Sequence, residues 1–385
     1  MPKRIYILSL FLILLTNHSC LCYSSGSIED EIRGIMDEYS SIGLSVVAVR
    51  NDSIVNFSTF GYNPDYNDTT LRKPIPENGV YVIASISKTF VSTAIMQLVE
   101  KKKLLLDDDI NKYLPFSVRN PKYPDVPITV RMLLCHRSSL NDNLYDWTID
   151  QINPGTSNRI QECFNDYAPG KEYKYCNLSY SLLGSIIENI TGERFYEYVE
   201  NHITEPLGLT CNYNLSKIDS TLIVRALKFS KKKQKFVMDA SIYDYQYSKE
   251  KTENYKLGYS AANFSPTGGM KISAKDLAKY MMMHMNYGKY NGQRIIRKKS
   301  ELEMWKNQMG NTDYGLAFTH YPDMIRGKDM VGMTGGAHGI HSGMFFCPEE
   351  KFGFVVICNG CKTKSSVGLD MSKKIVRILY KNLIK

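Results

Sequence analysis

Apolar positions recur at helical spacing in residues 26–42 (Ile28, Ile32, Ile35, Met36), which predicts an amphipathic helix ending near Gly43. Leu44–Arg50 and Ile54–Gly61 then read as strands joined through Asn51, Asp52 and Ser53, a hairpin. A polar loop, 62–79, leads through the apolar run Tyr81–Ile83 into residues 84–100, a mostly apolar helix opened by small polar residues. Lys101–Lys103 close it, which suits the negative end of a helix. Helical patterns and loops dominate the next stretch: Leu104–Leu114, Val130–Leu140, Ser179–Ile190 and Arg194–Ile203. Farther on, Ser273 is placed to cap a helix from Ala274 to Asn286, whose Met281–Met283 and Met285 suit core packing. Met344–Cys347 and Phe352–Cys358 flank Pro348–Lys351 as a second hairpin, and Ser372–Ile384 closes the chain as an amphipathic helix.

Strands at both ends with helices between them predict an α+β fold. An antiparallel sheet built from the two chain ends and flanked by helices would carry an inserted, mainly helical subdomain. The expected bounds are about 26–100 and 265–385 for the sheet part and about 104–260 for the insertion, all within one domain of residues 23–385. No internal repeat or low-complexity tract interrupts it.

Composition adds the compartment. Lys3 and Arg4 precede the apolar run Ile5–Leu15, and small or polar residues follow from Thr16 to Ser25. That is the pattern of a secretory signal peptide, taken as residues 1–22, and the run is short for a bilayer span. Cys20 sits where a bacterial lipoprotein cysteine would, but Asn17 stands three before it where Leu is usual, so an anchor there is the lesser reading. No other stretch is long and apolar enough to cross a membrane. The 385 residues are 43% hydrophobic and 23% charged, an ordinary globular balance. The formal charge of +9 is spread over short clusters at 101–103, 231–235 and 294–299. None interleaves with aromatics in a nucleic-acid motif, so no nucleic-acid partner is expected.

Nine cysteines are present, two of them (Cys20, Cys22) in the leader. Seven remain in the mature chain, an odd number, so at least one thiol is free. Cys358 and Cys361 have redox or metal spacing. With no second Cys pair or nearby His pair, buried thiols or an incidental disulfide are expected, and neither metal nor cofactor. Asn-x-Ser/Thr sequons at Asn51, Asn56, Asn67, Asn177, Asn189, Asn214 and Asn263 bear only on a eukaryotic secretory route.

The chemistry begins in the helix 84–100. Ser85 and Lys88 stand three positions apart, which puts both side chains on one helix face with Cβ atoms ~5–6 Å apart. A serine hydroxyl is a weak nucleophile until its proton is taken, and a lysine held among apolar neighbours can take it. Three further stretches support this pair. Tyr175 and Asn177 precede a buried helix: a phenol beside a lysine ammonium is a candidate general base, and an amide both donates and accepts. Leu133–Leu140 contains His136. Gly332–Gly339 holds Thr334, Gly335 and Gly336 on a glycine-rich strand, which lets a ligand approach the backbone and offers N–H groups to an oxyanion.

In this order, Ser-x-x-Lys, Tyr-x-Asn and Thr-Gly-Gly, the chain resembles the serine β-lactamase and penicillin-recognising hydrolase family. Its closest likeness there is the branch of class C β-lactamases, D-alanyl-D-alanine carboxypeptidases and esterases. The likeness runs from about residue 40 to 360 and includes Leu104–Pro115, Glu205–Leu209, Gly268-Gly269 and Asp276-Leu277. It implies that Ser85 attacks a carbonyl to form an acyl-enzyme, with Lys88 and Tyr175 sharing proton removal. Tyr175 would then pass the proton to the leaving group and help activate water. Asn177 would hold a polar group of the substrate, with Thr334, Gly335 and Gly336 binding it along the strand. The oxyanion would meet the N–H groups of Ser85 and Gly336, with Gly335 the alternative.

The chain departs from the family at Met333, where Lys or His usually precedes Thr-Gly and helps bind a substrate carboxylate. A thioether supplies neither charge nor a strong hydrogen bond. β-Lactam or D-Ala-D-Ala recognition therefore rests on other groups, with His338 and His341 nearby as possible substitutes. Each of these two histidines is read first as a loop residue, and His136 as a packing residue. The expected function is a secreted serine hydrolase acting on an ester, amide or β-lactam, in a small molecule or peptide. A relative that uses the old pocket only for binding or scaffolding is the alternative. A Ser-His-Asp hydrolase is disfavoured because the chain has no Gly-x-Ser-x-Gly elbow. Oligomeric state is left open.

Overall fold

A computed structural model of the chain describes residues 27–65, 71–238, 240–243, 250, 252–308, 313–362 and 365–385. The expected signal peptide with Cys20 and Cys22, and the sequon at Asn67, lie outside the described residues. Helix α1 (Ile28–Tyr39) starts at a capping box, in which Ser27 and Asp30 satisfy each other's backbone N–H groups, and buries Ile32, Ile35, Met36 and Tyr39. The hairpin β1 (Gly43–Arg50) and β2 (Ser53–Gly61) follows as the sequence predicts.

These two strands join a six-stranded antiparallel sheet with four from the far end of the chain. Those are β6 (Thr319–His320), β7 (Val331–Ala337), β8 (Ile340–Cys347) and β9 (Phe352–Cys358), and the order is β6-β7-β8-β9-β1-β2. Leu44, Val46 and Ala48 pack on one face with α1 and with α8 (Ser365–Leu379); Val47 and Val49 pack on the other. Both faces are covered, which is why β1 and β9 read as mostly apolar runs with little polar alternation. The opposite face carries α6 (Ala274–Met285), capped by Ser273 as expected, and the short turn that leads into α2 (Ser87–Glu100).

Beneath the start of α2 lies a small sheet of β3 (Val80–Val82), β4 (Cys211–Asn212) and β5 (Lys271–Ser273), with Val82 opposite Lys271. Along the chain between α2 and β4 come α3 (Val130–Leu134), α4 (Asn177–Thr191) and α5 (Phe195–Val199); α7 (Lys298–Trp305) follows α6.

The stretch expected as helix over Leu104–Leu114 is instead a series of turns with one 3-10 turn, Ile110–Lys112. Asp108 accepts from Leu105 N at 2.9 Å and Asp109 from Asn111 N at 3.0 Å. Short carboxylates that bond their own backbone compete with helix. Likewise α3 is only five residues long, because His136 and Ser139 adopt left-handed backbone angles (φ 57° and 62°). A hairpin of Leu227–Ser230 and Lys235–Met238 also interrupts the expected helical stretch.

Candidate active site

Ser85 lies in a 3-10 turn, Ala84–Ile86, that runs directly into α2. Ala84, buried, has φ 47°, so the chain turns sharply just before the serine. The helix behind it is buried on nearly every side, and two of its hydroxyls are satisfied locally: Thr89 bonds Ile86 O at 2.7 Å and Thr93 bonds Thr89 O at 2.9 Å. Ser87 accepts from Met270 N at 3.0 Å, which ties the helix start to the segment leading into β5.

Lys88 is fully buried. Its Nζ lies 3.2 Å from Ser85 Oγ, 3.0 Å from Asn177 Oδ1 and 2.6 Å from the carbonyl oxygen of Thr267. Burial pulls its pKa down from 10.5 to about 7, against the attraction of Asp142 and Cys176. Two of its three neighbours are pure acceptors. A neutral amine therefore spends both N–H groups on Asn177 and Thr267 and turns its lone pair toward Ser85.

Tyr175 donates to Ser85 Oγ at 2.7 Å from the other side. Its phenol is shifted well above 10, chiefly by burial. The sequence expectation has a lysine ammonium ease proton loss from the phenol; burial here acts the other way, lowering the amine and raising the phenol. His136 packs against the Tyr175 ring with centroids 4.2 Å apart. Its Nδ1 accepts from Cys176 N at 3.2 Å, so Nε2 carries the proton toward Tyr314 OH, also at 3.2 Å. Burial holds His136 far below its ordinary pKa, a neutral packing group as the sequence suggests.

Asn177 is the first residue of α4. Its amide carbonyl serves Lys88, while its amide nitrogen donates to Asp142 Oδ2 at 2.9 Å. Asp142 was not singled out in the sequence. It lies 35 residues away in a loop, and no spacing rule connects the two.

The strand β7 passes alongside. A Cβ placed on Gly335 would lie 2.3 Å from Ile83 O, 2.5 Å from Ser342 Oγ and 3.0 Å from Ser85 N, so only glycine fits there. Tyr321 N donates to Met330 O at 2.7 Å on the β6 side of the ladder. By alternation, the N–H groups of Gly332, Thr334 and Gly336 also point to that side, where β6 pairs with β7 no farther than Gly332. The N–H of Gly335 points to β8 instead. Gly336 is thus the strand donor available to an oxyanion, beside Ser85 N–H in the first, unpaired turn of a helix.

Side-chain alternation sorts the remaining candidates. Met333 is 4% exposed and belongs to the core on the α2 side of the sheet. Thr334 points the other way, with its hydroxyl bonded to Tyr321, so its side chain is not presented to Ser85. His341, opposite Gly336, lies against Gly368 of α8 on the far face of the sheet. It cannot replace the missing cation. His338, in the turn after β7, lines a cavity of about 560 Å³ together with Val82, Tyr213, Phe264 and Lys271. The seven described cysteines, Cys358 and Cys361 included, are buried and in no disulfide. No cluster suited to a metal ion occurs among the described residues.

The profile of the family described as Beta-lactamase matches residues 28–372. Protein flp of Staphylococcus aureus (strain N315) is 23% identical over 324 residues, covering 82% of this chain and 59% of flp. The chain thus spans about six-tenths of the length of that relative. Among solved structures, the octameric penicillin-binding protein homologue from Pyrococcus abyssi superposes with a TM-score of 0.72 at 24% identity, over 93% of this chain and 78% of that one. The D-amino acid amidase from Ochrobactrum anthropi SV3 gives 0.67 at 19% identity, over 92% and 99%. These likenesses fix the fold.

Proposed function

The chain belongs to the β-lactamase family of serine hydrolases, and we propose that it is a secreted member that cleaves an ester, amide or β-lactam through an acyl-enzyme on Ser85. The observation that carries this reading is the pair of contacts on Ser85 Oγ, Lys88 Nζ at 3.2 Å and Tyr175 OH at 2.7 Å. Neutral Lys88 takes the hydroxyl proton as Oγ bonds to the carbonyl carbon. The resulting oxyanion is met by the N–H groups of Ser85 and Gly336. As the tetrahedral species collapses, Tyr175 gives its proton to the leaving group and recovers one from the Lys88 ammonium. Water then attacks the acyl group, giving its proton to the same pair, and Ser85 leaves with a proton restored.

Met333 supports substrates that need no cation on β7, so neutral esters and amides fit better than carboxylate-bearing β-lactams or D-Ala-D-Ala peptides. Export is inferred from the charged start and apolar run at residues 1–22, and 23–385 is read as one catalytic domain. The alternative of a silent binding relative gains nothing from Ser85, Lys88 and Tyr175 standing in contact.

Labelling with a fluorescent fluorophosphonate and a fluorescent penicillin, each compared with Ser85→Ala, tests the reading. Ser85-dependent labelling by the phosphonate is expected, and its absence with every acylating probe would overturn the enzyme. A screen of p-nitrophenyl esters, nitrocefin and D-Ala-D-Ala peptides then ranks substrates.

A further inference from the structure

Helix α4 begins at Asn177 with no side-chain cap from its own N-cap residue, Cys176. The cap comes from elsewhere. Both oxygens of Asp142 lie 2.8 Å from Asn177 N, and Oδ1 accepts from Leu178 N at 3.0 Å and from Cys176 Sγ at 3.3 Å. A fifth contact reaches into the site: Oδ2 accepts from the Asn177 side-chain amide at 2.9 Å.

That contact fixes a polarity. A carboxylate only accepts, so it takes the NH₂ end of the amide, and the carbonyl end must face Lys88. With Thr267 O also facing Lys88, both acceptors claim the amine's N–H groups, and the lone pair is left for Ser85. Were the amide reversed, its NH₂ would face Nζ and compete for the same lone pair.

We propose that Asp142 is a positioning residue of this site: by fixing the Asn177 amide it aims the Lys88 lone pair at Ser85. Asp142 touches neither substrate nor reacting atoms. It works through Asn177, which in turn is committed to Lys88 first and to substrate only through its remaining N–H. The charge of Asp142 also acts on Lys88 through space, raising its proton affinity against burial. The other groups facing Lys88 are Cys176, His136, and the rings of Tyr175 and Tyr180 at 4.9 and 5.5 Å.

The inference rests on the acyl-enzyme reading, and the test keeps the two apart. The readout is the rate at which the full chain is labelled at Ser85 by a fluorophosphonate as a function of pH. In this step the serine oxygen bonds to phosphorus, fluoride leaves and Lys88 receives the proton, so no natural substrate is needed. If the wild type is not labelled, the acyl-enzyme reading fails. If it is labelled, Asp142→Asn is expected to slow labelling at least tenfold, through loss of base alignment. Its acid limb is expected to move about one unit to lower pH, through loss of the negative charge. A merely structural cap would not move that limb. Asp142→Glu, with the charge kept but displaced, is expected to label more slowly with its acid limb in place. In the double variant Asp142→Asn with Asn177→Asp the charge sits next to Lys88, and the limb is expected to shift to higher pH. Folding is followed by circular dichroism; should Asp142→Asn not fold, the Glu variant and the double variant decide. Limbs that stay where the wild type has them in the folded Asn and double variants would overturn the proposal, as would a Glu variant that labels at the wild-type rate.

Discussion

Lys88 and Tyr175 meet the same atom, Ser85 Oγ, at 3.2 and 2.7 Å, and their proton affinities are displaced in opposite directions. One cause, burial, does both. It disfavours the charged form of each group, so the amine gives up its proton and the phenol keeps one. In the proposed cycle this makes the amine the base and the phenol the acid, without either contacting a buried carboxylate.

The pH dependence follows directly. Lys88 is the base only when neutral, and its pKa is about 7. Labelling of Ser85 should therefore rise with pH through about 7 and level off above it, while Tyr175 stays protonated across the range. Lys88→Met should slow labelling by ~10²–10⁴ and erase that rise. A rate that falls through the same window would show the wrong protonation state has been assigned to the lysine.

Tyr175→Phe separates the two halves of the cycle. A p-nitrophenolate or fluoride leaves without protonation, so the first bond to Ser85 should form within about tenfold of the wild-type rate. Amides and alkyl esters need an acid, and their turnover should drop by ~10²–10⁴. Single-turnover acylation compared with steady-state hydrolysis reads the split. Equal losses for both substrate types would remove Tyr175 from the acid role.

Gly335→Ala tests the packing of β7 against the serine. The added methyl meets two backbone or hydroxyl oxygens within 2.5 Å and Ser85 N at 3.0 Å, so strand and nucleophile must move apart. Displacing the Gly336 donor should cost ~10²–10³ in acylation rate. Thermal unfolding should also fall by several degrees, in line with ~1–3 kcal/mol for overpacking. Unchanged acylation would mean that the Gly336 N–H has no part in the oxyanion site.

What could be read from the chain and what could not divides along a physical line. Ser85 with Lys88, and Tyr175 with Asn177, stand close in sequence at the start of a buried helix, so their spacing and the helix start expose them. β1, β9 and the Met344–Cys347 end of β8 carry mostly apolar runs because both sheet faces are covered, and they too are legible. Asp142 and the Thr267 carbonyl reach Lys88 only through the tertiary fold, one from a loop and the other as a backbone group with no side-chain signature. The direction of Thr334 was within reach: alternation along β7 places it opposite Met333, away from the α2 side. The Asp107–Asp109 run was also informative, since carboxylates that bond nearby N–H groups turn Leu104–Leu114 away from helix.

On the proposed reading, Met333 bears on what the site is aimed at. It stands on the α2 face of β7, buried to 4% exposure, two residues before the glycine where a side chain would crowd the Ser85 amide. Neither nearby histidine takes over its lost charge: His341 faces α8, and His338 lies beyond the strand in the turn. Met333→His and Met333→Lys restore a group that can bind a carboxylate, at the cost of burying it. Desolvation will hold a lysine there partly neutral until a carboxylate arrives, so the gain should appear with the anionic substrate and not before. For a pair of p-nitrophenyl esters differing only in a carboxylate, kcat/KM for the charged ester relative to the neutral one should rise at least tenfold, about 1.4 kcal/mol. The neutral ester itself should be turned over no faster. If both variants fold and that ratio does not change, the carboxylate is bound by other groups or is not part of the substrate, and Met333 is core packing alone.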